Sequence, residues 1–260
     1  MIYINGDSHS AGADIIPGIC FAQDDPRYLA YGRRAHPEAV VQTYGYHIAQ
    51  AFNQGFFCEA ESGSSNDRIL RTTKKFVNNT KNKNNIGFII IGWTSWEREE
   101  WKHGEDYLQV TASGTDSVPE SMEEEYKEWV IKQTPEEHKR KEQLWHDRIW
   151  DLHCELKEQN IRHVFFNTTQ SFANDNKDWE CTFIPVTFSE WLKDRGFGTI
   201  ENSNHFGADA HREWSKYLIS IVNNYYSEIN AANDTDRQLT IAKRRSIITQ
   251  VKQEFKGLKR

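Results

Sequence analysis

Met1-Ile2-Tyr3-Ile4-Asn5-Gly6-Asp7-Ser8-His9-Ser10 decides how the rest of the chain is read. A short apolar run of strand type stops at a Gly-Asp-Ser turn. That places the Ser8 hydroxyl just past a strand end, where open α/β sheets bind ligands. The same tripeptide is also ordinary turn chemistry, because Asp and Ser side chains hydrogen-bond nearby backbone N–H groups. Its meaning therefore depends on what the other strand ends carry.

Two further strands end in similar turns. The run Phe56-Phe57-Cys58-Glu59-Ala60 reads as a strand and leads into Glu61-Ser62-Gly63-Ser64-Ser65-Asn66. Several N-cap candidates there precede a helix that carries Ile69, Leu70, Phe76 and Val77. Free N–H groups at such a start can hold a developing negative charge. Phe88-Ile89-Ile90-Ile91 is the strongest strand in the chain and is continuous enough for a central strand buried on both faces. It stops at Gly92-Trp93-Thr94-Ser95-Trp96-Glu97-Arg98. In a parallel sheet these three turns lie along one edge and can converge on one site.

Helical spacing marks 40–52, then a long helix over 135–159 through Trp145, Ile149, Leu152 and Leu156. A strand is expected at 163–167 and a short helix at 188–193. A last core helix carries Ala210, Trp214, Tyr217, Leu218, Ile221 and Tyr225. Residues 10–39 read as a long connection, in the place of a lid or substrate rim. Residues 99–134 read as an insertion near the third strand, with a strand or hairpin arm at 107–112 and acidic residues that form a solvated face.

Composition sets the outer bounds. A chain of 260 residues, 37% hydrophobic and 13% aromatic, can bury a substantial core. Its longest apolar run, near 86–93, is too short to span a membrane, and the first residues lack a signal-peptide pattern, which suggests a cytoplasmic protein. Four widely spaced cysteines, Cys20, Cys58, Cys154 and Cys181, argue for free thiols rather than a disulfide framework or zinc knuckle. Net charge is −6, against a surface built throughout for nucleic acid. The tail is different: over 231–260 eight basic residues face three acidic ones, a net of +5. There Ile241, Ile248, Val251, Phe255 and Leu258 make an amphipathic stripe, compatible with self-association or with an anionic partner through 237–260.

His205 stands just before the last core helix, in His205-Phe206-Gly207-Ala208-Asp209-Ala210-His211. With an exposed serine near the other end of the chain it suggests a Ser–His pair. Imidazole would take the hydroxyl proton and later protonate the leaving group.

These blocks resemble the SGNH (GDSL-like) hydrolases. Gly6-Asp7-Ser8-His9-Ser10 is similar to the first block, with Ser8 at the nucleophile position. Gly63 sits where the second block has its oxyanion-hole glycine, and His205, nine residues before Trp214, matches the catalytic histidine of the last block. The last block, with Trp93-Thr94-Ser95-Trp96-Glu97-Arg98 region chemistry, is similar to members found in bacteriophages, which would make the protein virion-associated. The resemblance implies a flavodoxin-like three-layer α/β/α sandwich with a central, mostly parallel sheet, to which a C-terminal amphipathic helix is added. The hydrolase domain would span 1–228 and the basic extension 229–260. The implied activity is ester hydrolysis, often of acyl groups on carbohydrates. No cofactor or metal is expected, since the sequence has neither a phosphate-cradling Gly-rich motif nor a Cys/His metal cluster.

Two positions depart from the pattern. The third block normally reads Gly-x-Asn-Asp, whereas Gly92-Trp93-Thr94-Ser95 puts Thr94 in the asparagine's place; its hydroxyl could donate to an oxyanion. The last block usually has an aspartate three residues before the histidine, where this chain has Asn202. Asn202 could orient the ring, Glu201 could supply the charge, or the site is a Ser8–His205 dyad. Backbone N–H groups of Ser8 and Gly63 with Thr94 form the expected oxyanion hole. Asp7, His9, Ser95 and His211 are pocket candidates. A different reading is a catalytically weak carbohydrate- or partner-binding module of the same fold, perhaps a phage structural component. A metal-dependent hydrolase built on Asp7, His9, His205 and His211 lacks a tight ligand pattern.

Overall fold

The computed structural model describes residues 1–16, 35–112, 118–172, 179 and 182–229. The basic extension, with its amphipathic stripe, lies outside the described residues. In order, the elements are β1 (Ile2–Asn5), α1 (Ser8–Ala11), α2 (Pro37–Val40), α3 (Tyr44–Ala51), β2 (Phe56–Cys58), α4 (Asn66–Asn79) and β3 (Phe88–Trp93). There follow β4 (Glu99–His103), β5 (Asp106–Val110), α5 (Glu123–Ile131), α6 (Pro135–Glu158), β6 (His163–Asn167), α7 (Phe188–Asp194) and α8 (Ala208–Ile229).

Four strands form a parallel sheet in the order β2-β1-β3-β6. A single parallel bridge from Phe165 to Phe183 extends the sheet beyond β6. Strand order reverses direction at β1 and β3, and the crevice beyond their carboxyl ends is where this architecture binds ligands. β1 pairs with β3 in the register Ile4 to Ile90 and Asn5 to Ile91, so Gly6-Asp7-Ser8 emerges beside the end of β3. This is the α/β layer architecture that the alternation of strands and helices implies.

Side chains alternate across the strands, which explains why Ile2–Ile4 of β1 and Phe88–Ile91 of β3 are apolar without a break. Ile2, Ile4, Phe88, Ile90, Val164 and Phe166 pack on one face against α3, α7 and α8, with Trp214 and Phe188 at the centre. Tyr3, Ile89, Ile91, Trp93 and Phe165 pack on the other face against α4 and α6, through Ile69, Trp145, Ile149 and Leu152. The α6 helix begins with its Thr134 cap accepting from Glu137 N–H, then Pro135, Glu136 and Glu137, residues suited to an N-terminal turn.

The antiparallel pair β4–β5 forms a separate two-stranded sheet after β3. Residues 99–131 thus add a hairpin and a helix beside the parallel sheet. The hairpin is joined to α4 by Arg71, whose guanidinium makes two 2.7 Å bonds to Glu100. Among the described residues no helix is long and apolar enough to cross a membrane.

Candidate active site

Asp7 ties the strand ends together. As the N-cap of α1 it accepts from His9 N–H at 3.0 Å through Oδ1. Its Oδ2 accepts from Thr94 Oγ1 at 2.8 Å and from Thr168 Oγ1 at 3.0 Å. The carboxylate of the β1 turn therefore holds the residues that follow β3 and β6. Burial of Asp7 opposes ionisation, but the charges of its neighbours and the hydroxyl and amide donors outweigh it, so the carboxyl lies below its ordinary range. Burial holds His9 below its ordinary range, and Arg98, with Nη1 3.8 Å from Asp7 Oδ2, is a cation facing this anion.

Gly6 is required by close approach. A Cβ there would overlap Ser10 Oγ and lie 2.9 Å from the Gly92 carbonyl oxygen. Ser10 is itself fixed by Tyr44, whose hydroxyl donates to Ser10 Oγ at 2.7 Å. The turn can therefore swing directly into α1, which presents Ser8 at its first position. The long connection expected from Ser10 leaves this four-residue helix no place. A helix of one turn has too few residues to show a period.

Ser8 Oγ lies 2.8 Å from His205 Nε2, and His205 Nδ1 lies 2.7 Å from Asp14 Oδ2. Ser203 Oγ is 2.6 Å from Asp14 Oδ2 and gives it a proton, while it accepts from His205 N–H at 3.0 Å. With Asp14 as acceptor, the ring carries its hydrogen on Nδ1, and Nε2 offers a lone pair to the Ser8 hydroxyl. The carboxylate and imidazole are about one-fifth exposed, at 18% and 21%. This is the geometry of a hydroxyl, a base and an orienting anion in line.

Ser8 and His205, the expected nucleophile and base, are thus brought together. The acid position differs from the expectation. Glu201 and Asn202 are both exposed, and the ring's hydrogen-bond partners among the described residues are Ser8, Asp14 and Ser203. Asn202 sits in the left-handed region at φ 58° and turns the chain toward Ser203. Asp14 also has positive φ, 62°, after α1 ends at Gly12 with φ 73°. Two successive reversals fold the carboxylate back beneath the histidine. The available sequence signal was a helix-stopping Gly12 followed closely by an aspartate that tolerates this conformation.

Gly63 lies in the turn between β2 and α4 with φ 75°, where glycine alone is unstrained. This turn is held to the Ser8 turn by Glu61 N–H donating to the Gly6 carbonyl at 3.2 Å. Asn66, at the start of α4, clasps the backbone of Thr94 with bonds of 2.9 Å and 3.1 Å. The Thr94 hydroxyl has one proton and gives it to Asp7, so it is committed as a donor. Ser95 shapes the turn after β3, its hydroxyl lying 3.2 Å from both Glu97 Oε2 and Glu97 N.

His9 and His211 occupy different depths. The His9 ring meets the His205 ring edge-on, 5.0 Å between centroids, and its two nitrogens have no hydrogen-bond partner among the described residues. His211 is 1% exposed, stacks on Tyr44 and accepts from Tyr44 N–H at 3.3 Å. Burial pushes its pKa down to about 3, so it is a neutral core group behind the site. Among the described residues no three His, Cys, Asp or Glu side chains form a group that could hold a metal ion.

No protein-family model and no curated protein matches this chain. Among solved structures it is similar to a carbohydrate esterase, described as having an active site with divergent catalytic and non-catalytic binding functions. The TM-score is 0.43 and the identity 14%, over 85% of this chain and 67% of the esterase chain. That likeness is too low to carry an activity from one protein to the other, and the site's own atoms have to supply the functional reading.

Proposed function

We propose that this protein is an SGNH-type serine esterase that hydrolyses a carboxylic ester, with an O-acetyl group on a carbohydrate as the substrate class. The observation that carries the reading is the unbroken chain from Ser8 Oγ through His205 to Asp14, at 2.8 Å and 2.7 Å.

In the first half-reaction Ser8 Oγ attacks the ester carbonyl carbon and its proton passes to His205 Nε2. Asp14 stabilises the resulting imidazolium through Nδ1–H. The carbonyl oxygen becomes an oxyanion, which in this reading the N–H groups of Ser8 and Gly63 receive. Collapse of the tetrahedral intermediate breaks the bond to the alcohol oxygen, which takes the proton from Nε2. Water then repeats the sequence on the acyl-serine, giving its proton to His205 and releasing the carboxylic acid as Ser8 is restored.

Support for a glycan comes from a groove of about 590 Å³ lined by Glu61, from the Gly63 turn, and by Arg68 of α4. It carries the exposed rings of Phe57 and Tyr107, 41% and 43% accessible. Arg71 lies 3.9 Å above the Tyr107 ring while bonded to Glu100. Aromatic faces beside paired planar polar groups suit a neutral polyhydroxyl chain, which stacks on the rings and hydrogen-bonds to the charged edges.

The commitment of the Thr94 hydroxyl to Asp7 favours a second reading, a binding module with little turnover. Hydrolysis of p-nitrophenyl acetate and a panel of acetylated sugars separates the two. The esterase reading expects turnover that falls at least about a hundredfold in both Ser8→Ala and His205→Ala. Equal inertness of all three proteins toward every ester, with retained glycan binding, establishes the module instead.

A further inference from the structure

The turn after β3 carries a charged side chain that the Ser8–His205–Asp14 chain does not use. Arg98 Nη1 lies 3.1 Å from Thr94 Oγ1 and 3.3 Å from the Ser64 carbonyl oxygen. It is also 3.8 Å from Asp7 Oδ2. Its three partners come from three different strand-end turns: Asp7 precedes Ser8, Ser64 follows Gly63, and Thr94 follows β3. One guanidinium nitrogen is therefore fixed between the elements that carry the nucleophile and the two candidate N–H donors. Nε and Nη2 make no hydrogen bond among the described residues, and the side chain is 31% exposed.

Counting protons at Thr94 gives this placement its meaning. The single hydroxyl proton goes to Asp7 Oδ2, so toward Arg98 the oxygen is an acceptor. Beside the residue where the resemblance expects an amide donor there is thus a guanidinium, with Nε and Nη2 protons to spare. Charge balance points the same way. Asp7 is a buried anion one residue from Ser8, and an oxyanion forming on an acyl group at Ser8 would place a second negative charge close to it. In a water-poor site that repulsion has to be met by a fixed cation. Arg98 is always charged, and its planar fork can anchor one nitrogen while it offers others.

We infer that Arg98 is the third donor of the oxyanion hole, where its guanidinium takes the role expected of Thr94 and balances Asp7 and the oxyanion together. This rests on the serine-esterase reading. A plain brace between Asp7 and Ser64 would explain the anchored nitrogen, but would make no demand on the charge that develops in the reaction.

The test compares the intact protein with Arg98→Gln and Arg98→Lys in p-nitrophenyl acetate hydrolysis and in inhibition by phenylboronic acid. The boronic acid adds to the serine as a tetrahedral anion. Arg98→Gln is expected to lower kcat by about 10²–10³-fold. KM should stay within about threefold of the intact value, and boronate affinity should fall with kcat. Arg98→Lys should recover about tenfold of both losses by restoring a cation. If boronate affinity is the same in all three proteins while kcat falls, or if Arg98→Gln keeps full turnover, the assignment is overturned and Arg98 is a brace. If the intact protein hydrolyses no ester and binds no boronate at Ser8, the esterase reading fails and the role of Arg98 fails with it.

Discussion

The carboxylate of Asp14 meets His205 Nδ1 at 2.7 Å across 191 residues of sequence, through a pair of left-handed residues, Asp14 and Asn202, that each reverse the chain. The anion that orients the base thus comes from the strand-end segment that also carries Ser8. Replacing it removes both the fixed tautomer and the charge that stabilises the imidazolium. Asp14→Asn is expected to lower kcat for ester hydrolysis by about 10³–10⁴-fold. Glu201→Gln and Asn202→Gly, at exposed positions, should leave kcat within about twofold, a difference that steady-state assays on matched preparations resolve.

Ser203 donates to Asp14 and receives the His205 amide, so its hydroxyl sets the distance between acid and base. Loss of that hydroxyl should loosen the pair without removing either partner. Ser203→Ala is expected to cost about tenfold in kcat and about 1 kcal/mol in stability, measured by urea unfolding.

Asp7 anchors three strand ends, and its removal leaves Thr94 and the His9 amide without their acceptor and Thr168 with the Trp93 carbonyl alone. Arg98 is partly exposed and can turn to water, so the loss falls mainly on the buried hydrogen bonds. Asp7→Ala should lower the unfolding free energy by about 2–4 kcal/mol, with activity lost as the turns separate. Chemical denaturation followed by tryptophan fluorescence would detect it, and an unchanged midpoint would refute the anchoring role.

His163 and His211 give the fold an acid limit. Burial holds both rings at a pKa of about 3, below the 6.5 of an exposed imidazole. Between these values the unfolded chain binds more protons than the folded one, so stability rises with pH in that window. Their contribution is complete above about pH 6.5 and is lost progressively as pH falls toward 3. Melting temperatures should decline over this range. The ring signals of both histidines should show no titration near pH 6 in the folded protein, which NMR can follow.

Gly6 has no room for a side chain between Ser10 and the Gly92 carbonyl. Gly6→Ala is expected to destabilise the fold by more than about 1 kcal/mol and to displace Ser8 from His205, so both melting temperature and kcat should drop.

How much of this was legible in the sequence follows from what each feature depends on. The strands at Ile2–Asn5 and Phe88–Trp93 are written in the apolar runs Ile2–Ile4 and Phe88–Ile91 because both of their faces are covered, and α6 is written in period and caps. The pairing of Ser8 with His205 was reachable because a shared sheet edge collects strand-end turns. Asp14 was not, since it acts through two backbone reversals that leave no periodic trace, and the motif directed attention to the residues just before His205. Arg98 was also hidden. Its place depends on where the Thr94 proton goes, which only a hydrogen-bond network decides.

The two halves of the Ser8–His205 pair rest on different supports. Ser8 is mounted on a turn bolted to the interior of the sheet through Asp7, whereas His205 is mounted on the loop before α8 and held by Ser203 and Asp14. Hydrogen bonds in a part-exposed loop open locally long before a buried framework melts. On warming, the imidazole should therefore drift from the hydroxyl while the sheet is still intact, and the protein should lose turnover at a temperature below the one at which it unfolds.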